Sequence, residues 1–102
     1  MNIKMYEDED ILDSHQESTK HKYEFIADLV GDNSDIFAEW TNEELFERLQ
    51  EREVLARCPD AVLSGDCLYV HFGTREDARK FIGKLNEYIM HKAKLLESFQ
   101  DY

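Results

Sequence analysis

Apolar residues recur at helical spacing in three stretches of the chain and alternate with polar ones in a fourth. Tyr23, Ile26, Ala27 and Val30 fall three and four apart, which predicts a short helix beginning at Thr19 or Lys20. Gly31, followed by Asp32-Asn33, supplies its stop by permitting the left-handed C-terminal conformation. A second start is predicted at Ser34, whose hydroxyl can accept an orphan backbone N–H ahead of "DIFAEW". In "TNEELFERLQER", Thr41 and Glu44 fit the capping-box pattern, and Leu45, Phe46 and Leu49 make one apolar stripe.

The period then shortens. "VLARCPDAVLSGDCLYVHFG" is rich in β-branched and aromatic residues, with turn signals at Pro59-Asp60 and Ser64-Gly65-Asp66, so two or three short strands ending in a hairpin are expected. In the last strand Leu68, Val70 and Phe72 should face the core and Cys67, Tyr69 and His71 the other side. After Gly73, Thr74 is an N-cap with Asp77 three residues on, and a helix is predicted from Arg75 to about Phe99. Ala78, Ile82, Leu85, Ile89 and Leu96 make one stripe along it, and Phe81, Tyr88 and Leu95 make a second beside the first. That arc is wider than one small sheet covers. The end from Ile89 to Phe99 therefore needs cover from the N-terminal helices or from a second copy of the chain.

The predicted fold class is α+β: a small antiparallel hairpin or three-stranded sheet, packed by two or three N-terminal helices and one long C-terminal helix. Residues 1–15, which include "MYEDEDILDSH", lack helical periodicity and carry the acidic run Glu7 to Asp10, so they read as a flexible acidic arm. Residues 16–102 read as a single domain, in keeping with a 102-residue chain whose 42% hydrophobic content can fill one modest core.

Charge changes this picture by being lopsided. The net charge is -11, and residues 1–53 hold 16 Asp+Glu against 5 Lys+Arg, while residues 54–102 hold 7 of each. The acidic half repels nucleic acid and anionic membrane and steers a basic protein surface toward itself. The apolar runs are a handful of residues, far below the ~18 needed to span a bilayer. An acidic start to the chain does not fit a secretory signal, and two cysteines with no export signal point to a reduced cytoplasm.

Candidate chemistry adds little. Cys58, Cys67 and His71 lie close in sequence, but C-x-x-C and H-x-x-x-H spacings are absent, so no metal site is expected and both cysteines read as small hydrophobes. Four strand residues put Cys67 and His71 ~13 Å apart, too far for a nucleophile and its base. "LSGDC" lacks the glycines and lysine of a phosphate loop. No catalytic residue and no cofactor is assigned, and the chain is expected not to be an enzyme.

"GDCLYVHFGTREDARKFIGKLN" resembles the third strand and second helix of an RNA-recognition-motif domain, with Tyr69, Val70 and Phe72 in the places of the family's strand signature. Over these 22 residues the resemblance implies a strand leading into a helix. Cys67 stands where the first stacking aromatic belongs and Gly65 where a basic residue belongs, so direct nucleic-acid binding is not expected.

The expected function is that of a non-enzymatic acidic module binding a basic protein partner. Its sharper form is a DNA-mimic-like inhibitor of a nucleic-acid-handling protein, and in composition the chain is similar to phage-encoded DNA mimics and to acidic inhibitors of cationic nucleases. Glu39, Glu43, Glu47 and Glu51 are the candidate contacts, with Trp40 as an aromatic anchor. The alternative is a structural or assembly protein that homodimerises or docks through Tyr88, Ile89, Leu95, Leu96 and Phe99 of the last helix.

Overall fold

A computed structural model describes residues 3–13, 22–56, 58 and 60–100. The fold is α+β, built on a four-stranded antiparallel sheet. Strands β2 (Tyr23–Ala27) and β4 (Cys67–Phe72) form its centre, with β1 (Ile11–Asp13) outside β2 and β3 (Val62–Ser64) outside β4. Helices α1 (Leu29–Asp32), α2 (Ser34–Phe37) and α3 (Asn42–Glu51) connect β2 to β3, and α4 (Arg75–Gln100) follows β4. Because β4 lies between β2 and β3, the unit β2–helices–β3 is a split β-α-β.

Alternation along the central strands decides which face is covered. Phe25 opposite Val70, and Ala27 opposite Leu68, are all buried. Leu45 and Leu49 of α3 and Phe81, Leu85 and Ile89 of α4 complete this core. Phe25 lies edge-on to the rings of Tyr6 and Phe81, at centroid distances of 5.1 and 5.4 Å.

The helix ends follow local chemistry. Thr41 Oγ1 accepts from the Glu44 N–H at 3.2 Å, and Thr74 Oγ1 accepts from the Asp77 N–H at 3.1 Å, so both predicted caps are present. At the far end of α3, Val54 N–H donates to the Leu49 carbonyl and Glu53 N–H to that of Gln50. This is a Schellman closure, with Glu53 in the left-handed position (φ 61°) and buried Val54 and Leu49 in the places of its hydrophobic pair. Gly65 (φ 60°) opens the two-residue β3–β4 turn, where glycine takes positive φ without a Cβ penalty.

Several expectations are corrected. The flexible arm expected over residues 1–15 is, over residues 3–13, part of the packed unit, because Tyr6 and Ile11 are core side chains and β1 pairs with β2. The segment is held along α4 and the α1–α2 junction. Asn86 receives the Tyr6 N–H and donates to the Tyr6 carbonyl, each at 2.9 Å, and buried Asn33 clamps Lys4 in the same reciprocal way at 2.6 and 3.1 Å. Each carboxamide reproduces the donor-acceptor pair that a neighbouring strand would offer. Asp8 meets Arg79 at 2.9 Å and Asp13 meets Arg75 at 3.8 Å, so part of the acidic run is neutralised within the chain.

The helix expected from Thr19 or Lys20 to Val30 is instead strand β2 over Tyr23–Ala27, and Thr19 and Lys20 lie outside the described residues. Five residues that pair with β4, three of them with β1 as well, satisfy more backbone groups as a strand than as one isolated helical turn. The sheet accordingly has a fourth strand beyond the hairpin or three strands expected. Gly31 lies inside α1 rather than behind it; a Cβ there would come within 2.5 Å of Asp28 Oδ2, on the carboxylate that accepts the Gly31 N–H. Ser34 is the first helical residue of α2 and Asn33 its cap position.

Candidate functional site

Three of the four carboxylates singled out in the sequence share one side of one helix. Glu43, Glu47 and Glu51 recur every four residues on α3, which puts them on a common stripe opposite buried Leu45 and Leu49, and Glu39 lies in the turn before the helix. All four are exposed. Glu51 meets Arg48 at 3.6 Å, whereas Glu39, Glu43 and Glu47 enter no ion pair among the described residues. The stripe thus presents its charge to solvent.

Trp40 is engaged within the chain. Its ring stacks on Phe37 at 5.7 Å, with Lys92 at 4.3 Å and Arg48 at 5.8 Å from its centroid. It fastens the α2–α3 junction to the far half of α4. That is where the wide apolar arc of α4 finds its cover. Ile89 is only 1% exposed, so it belongs to the core and not to a docking surface, while Tyr88 and Leu96 are half-buried. Met90 and Leu95 remain exposed, and the Phe99 side chain lies outside the described residues.

The sequence reading missed a second surface. The sheet face turned away from α3 and α4 carries Val62, Tyr69 and Ile26 side by side in one cross-strand row, with Leu12 of β1 in the next row beside Glu24 and His71. Val62 is 53% exposed, Leu12 46% and Ile26 37%. The outward set of β4 was legible from its alternation; the row was not, because it needs β2 to be a strand. His71 and Glu24 approach at 3.6 Å across this face. Phe72, matched in sequence to an RNA-recognition-motif signature, points inward and packs on Phe81 at 5.4 Å. Among the described outward residues of the sheet only Tyr69 carries a benzenoid ring, which leaves no aromatic platform like that of the motif.

Cys58 is buried in the core and Cys67 lies half-buried on the outer face, both as free thiols. Burial pushes the Cys58 thiol up to about 11, with nearby Lys84 pulling against it. Among the described residues no three His, Cys, Asp or Glu side chains form a group that could hold a metal ion, and no helix is long and apolar enough to cross a membrane. Burial likewise raises the Tyr6 phenol, reinforced by its 2.7 Å hydrogen bond to Asp32. This pair ties the first segment to α1. Compared with protein-family models, curated proteins and solved structures, the chain matches none.

Proposed function

We propose that this chain is a non-enzymatic acidic protein-binding module that works in the cytoplasm and takes a basic partner. The observation carrying this reading is the exposed stripe Glu39, Glu43 and Glu47, which spends none of its charge on ion pairs among the described residues. A free carboxylate stripe steers an oppositely charged surface at long range, and the apolar row Val62, Tyr69 and Ile26 offers area to bury once contact is made.

Inhibition of a nucleic-acid-handling protein is the sharper form of the proposal, and charge spacing limits it. Carboxylates four apart on a helix advance by ~6 Å per charge. Double-stranded DNA presents one charge per ~1.7 Å of axis. Over the length spanned by Glu43, Glu47 and Glu51 a duplex would offer about seven charges, so the α3 stripe alone is too sparse to stand in for one. Occlusion of a basic surface is the form the geometry supports better.

The test is affinity against a basic partner captured from the source organism's lysate at low salt. With Glu43→Lys and Glu47→Lys combined, affinity should fall about tenfold or more, with the loss concentrated in the association rate and shrinking as salt rises. Unchanged affinity would remove α3 from the interface.

Assembly through α4 is a second reading, favoured by exposed Met90 and Leu95 on one helix. Sedimentation of the native chain and of Leu95→Glu decides it. A dimer that dissociates in the variant supports assembly, and a monomer at high concentration rejects it.

A further inference from the structure

Where the end of α3 meets the middle of α4, the acidic excess of the chain gives way to two cations balanced by two carboxylates. An open hollow of about 380 Å³ lies there, lined by Arg52, Glu53, Val54, Lys84, Glu87, Tyr88 and His91. The Schellman closure makes it: left-handed Glu53 turns the chain so that three consecutive residues, Arg52 to Val54, line one hollow. Val54 is buried and supplies an apolar base.

Arg52 and Lys84 enter no ion pair among the described residues, although Glu53 and Glu87 line the same hollow. In a chain of net charge -11, a hollow with equal numbers of cations and carboxylates suits a ligand that carries both signs. Lysine and arginine supply charge-assisted donors suited to oxyanions, and Tyr88 and His91 add two more donors or acceptors. Burial holds the Tyr88 hydroxyl above its ordinary value, with Arg48 and Arg52 pulling the other way, so it stays protonated at neutral pH and can donate.

We infer that this cavity binds a small phosphate monoester carrying an amino group, with Arg52, Lys84 and Tyr88 toward the phosphate and Glu53 and Glu87 toward the amine. The phosphate offers three oxygens to three donors, which a carboxylate cannot match. The two glutamates suit the ammonium end and disfavour a polyanion such as RNA. The volume lies within the ~300–1,000 Å³ common for small-ligand sites. The site is separate from the Glu43–Glu47 stripe and does not depend on the partner-binding reading.

The experiment is a chemical-shift titration of the full chain with O-phosphoethanolamine, inorganic phosphate and ethanolamine in parallel. O-phosphoethanolamine should move the signals of Arg52, Lys84, Tyr88 and His91 and bind about fivefold or more tighter than inorganic phosphate. Arg52→Gln with Lys84→Gln, checked for an unchanged fold by its spectrum, should weaken both phosphates by about tenfold or more. Glu53→Gln with Glu87→Gln should erase the advantage of the amine-bearing probe, while Lys94→Gln outside the cavity should leave it intact. Shifts spread evenly over the Lys and Arg residues of the chain, an affinity indifferent to the Arg52 and Lys84 changes, or equal binding of the two phosphates would each overturn the assignment.

Discussion

Replacing Asn86 with Ala tests whether residues 3–13 are a structural part of the fold. The Asn86 carboxamide makes two hydrogen bonds of 2.9 Å to the Tyr6 backbone, and both groups lose their partner in the variant. Each such bond contributes about 0.5–1.5 kcal/mol net, and a buried group left unpaired costs about 1–3 kcal/mol. Asn86 is half-buried, so water reaches part of the site and the lower end applies: about 2 kcal/mol for the pair. For a domain of this size that corresponds to a Tm lower by roughly 8–16 °C. Urea melts of the wild type and Asn86→Ala give the free energy, and hydrogen exchange over residues 4–12 shows where it is lost. Asn33→Ala removes the companion clamp on Lys4, and the two losses should not add, because a segment released at one end loses much of the other contact. A change under about 0.5 kcal/mol, with exchange of the segment unaltered, would show that the clamps do not hold it.

Glu53→Gly should stabilise the chain by about 0.5–1 kcal/mol in urea melts, because glycine takes the left-handed position at the end of α3 without a Cβ penalty. Gly65→Ala, at φ 60°, should destabilise by about 1–2 kcal/mol even though a Cβ there meets open space. The Cys58 thiol is raised on folding from its ordinary value near 9 to about 11, so the folded state holds its proton more firmly. The stability this adds is complete below pH ~9 and is lost as pH rises toward 11; denaturant melts of Cys58→Ala against the wild type across that window should show a shallower alkaline decline in the variant. With a thiol-reactive reagent at pH 8, half-buried Cys67 should be labelled before buried Cys58, and the reverse order would contradict the placement of Cys58 in the core.

What was legible in the sequence was local. Thr41 and Thr74 cap their helices through contacts three residues away, the alternation from Cys67 to Phe72 sorted the two sheet faces correctly, and Gly65 marked its turn. These features need only nearby chain. The errors cluster where the partner is distant. Tyr23, Ile26, Ala27 and Val30 match a helical period, while Tyr23, Phe25 and Ala27 match a strand equally well, and only pairing with β4 some 45 positions later decides between them. Ile11 offers one inward apolar residue behind four acids, too weak a signal for a strand; its burial depends on Phe25, and its neighbours Asp8 and Asp13 find their counter-charges on α4. The contact of Trp40 with Lys92 was likewise not legible, because nothing nearby in sequence announces Lys92 above its ring.

That relocation of charge bears directly on how the molecule could bind. An acidic half that projected freely would place its highest charge density at Glu7 to Asp10, and a basic partner would dock there first. The structure commits Asp8 to Arg79, uses Asp10 to receive the Glu7 N–H at 2.8 Å, and commits Asp13 to Arg75. Engaging these groups would require a partner to compete with contacts already made. Glu39, Glu43 and Glu47 carry no such cost, since they are exposed and make no ion pair among the described residues. Deleting residues 1–13 should therefore act through stability rather than through partner contact. Withdrawing Tyr6 and Ile11 exposes apolar surface worth about 1.5–3 kcal/mol per side chain, a large share of the ~5–15 kcal/mol that holds a domain folded. Comparing the truncated chain with Glu43→Lys plus Glu47→Lys separates the two effects. The truncation should lower the urea midpoint markedly, whereas the charge reversal should leave it nearly unchanged while weakening binding. If the truncated chain kept its midpoint yet lost its partner, the acidic segment, and not α3, would be the contact.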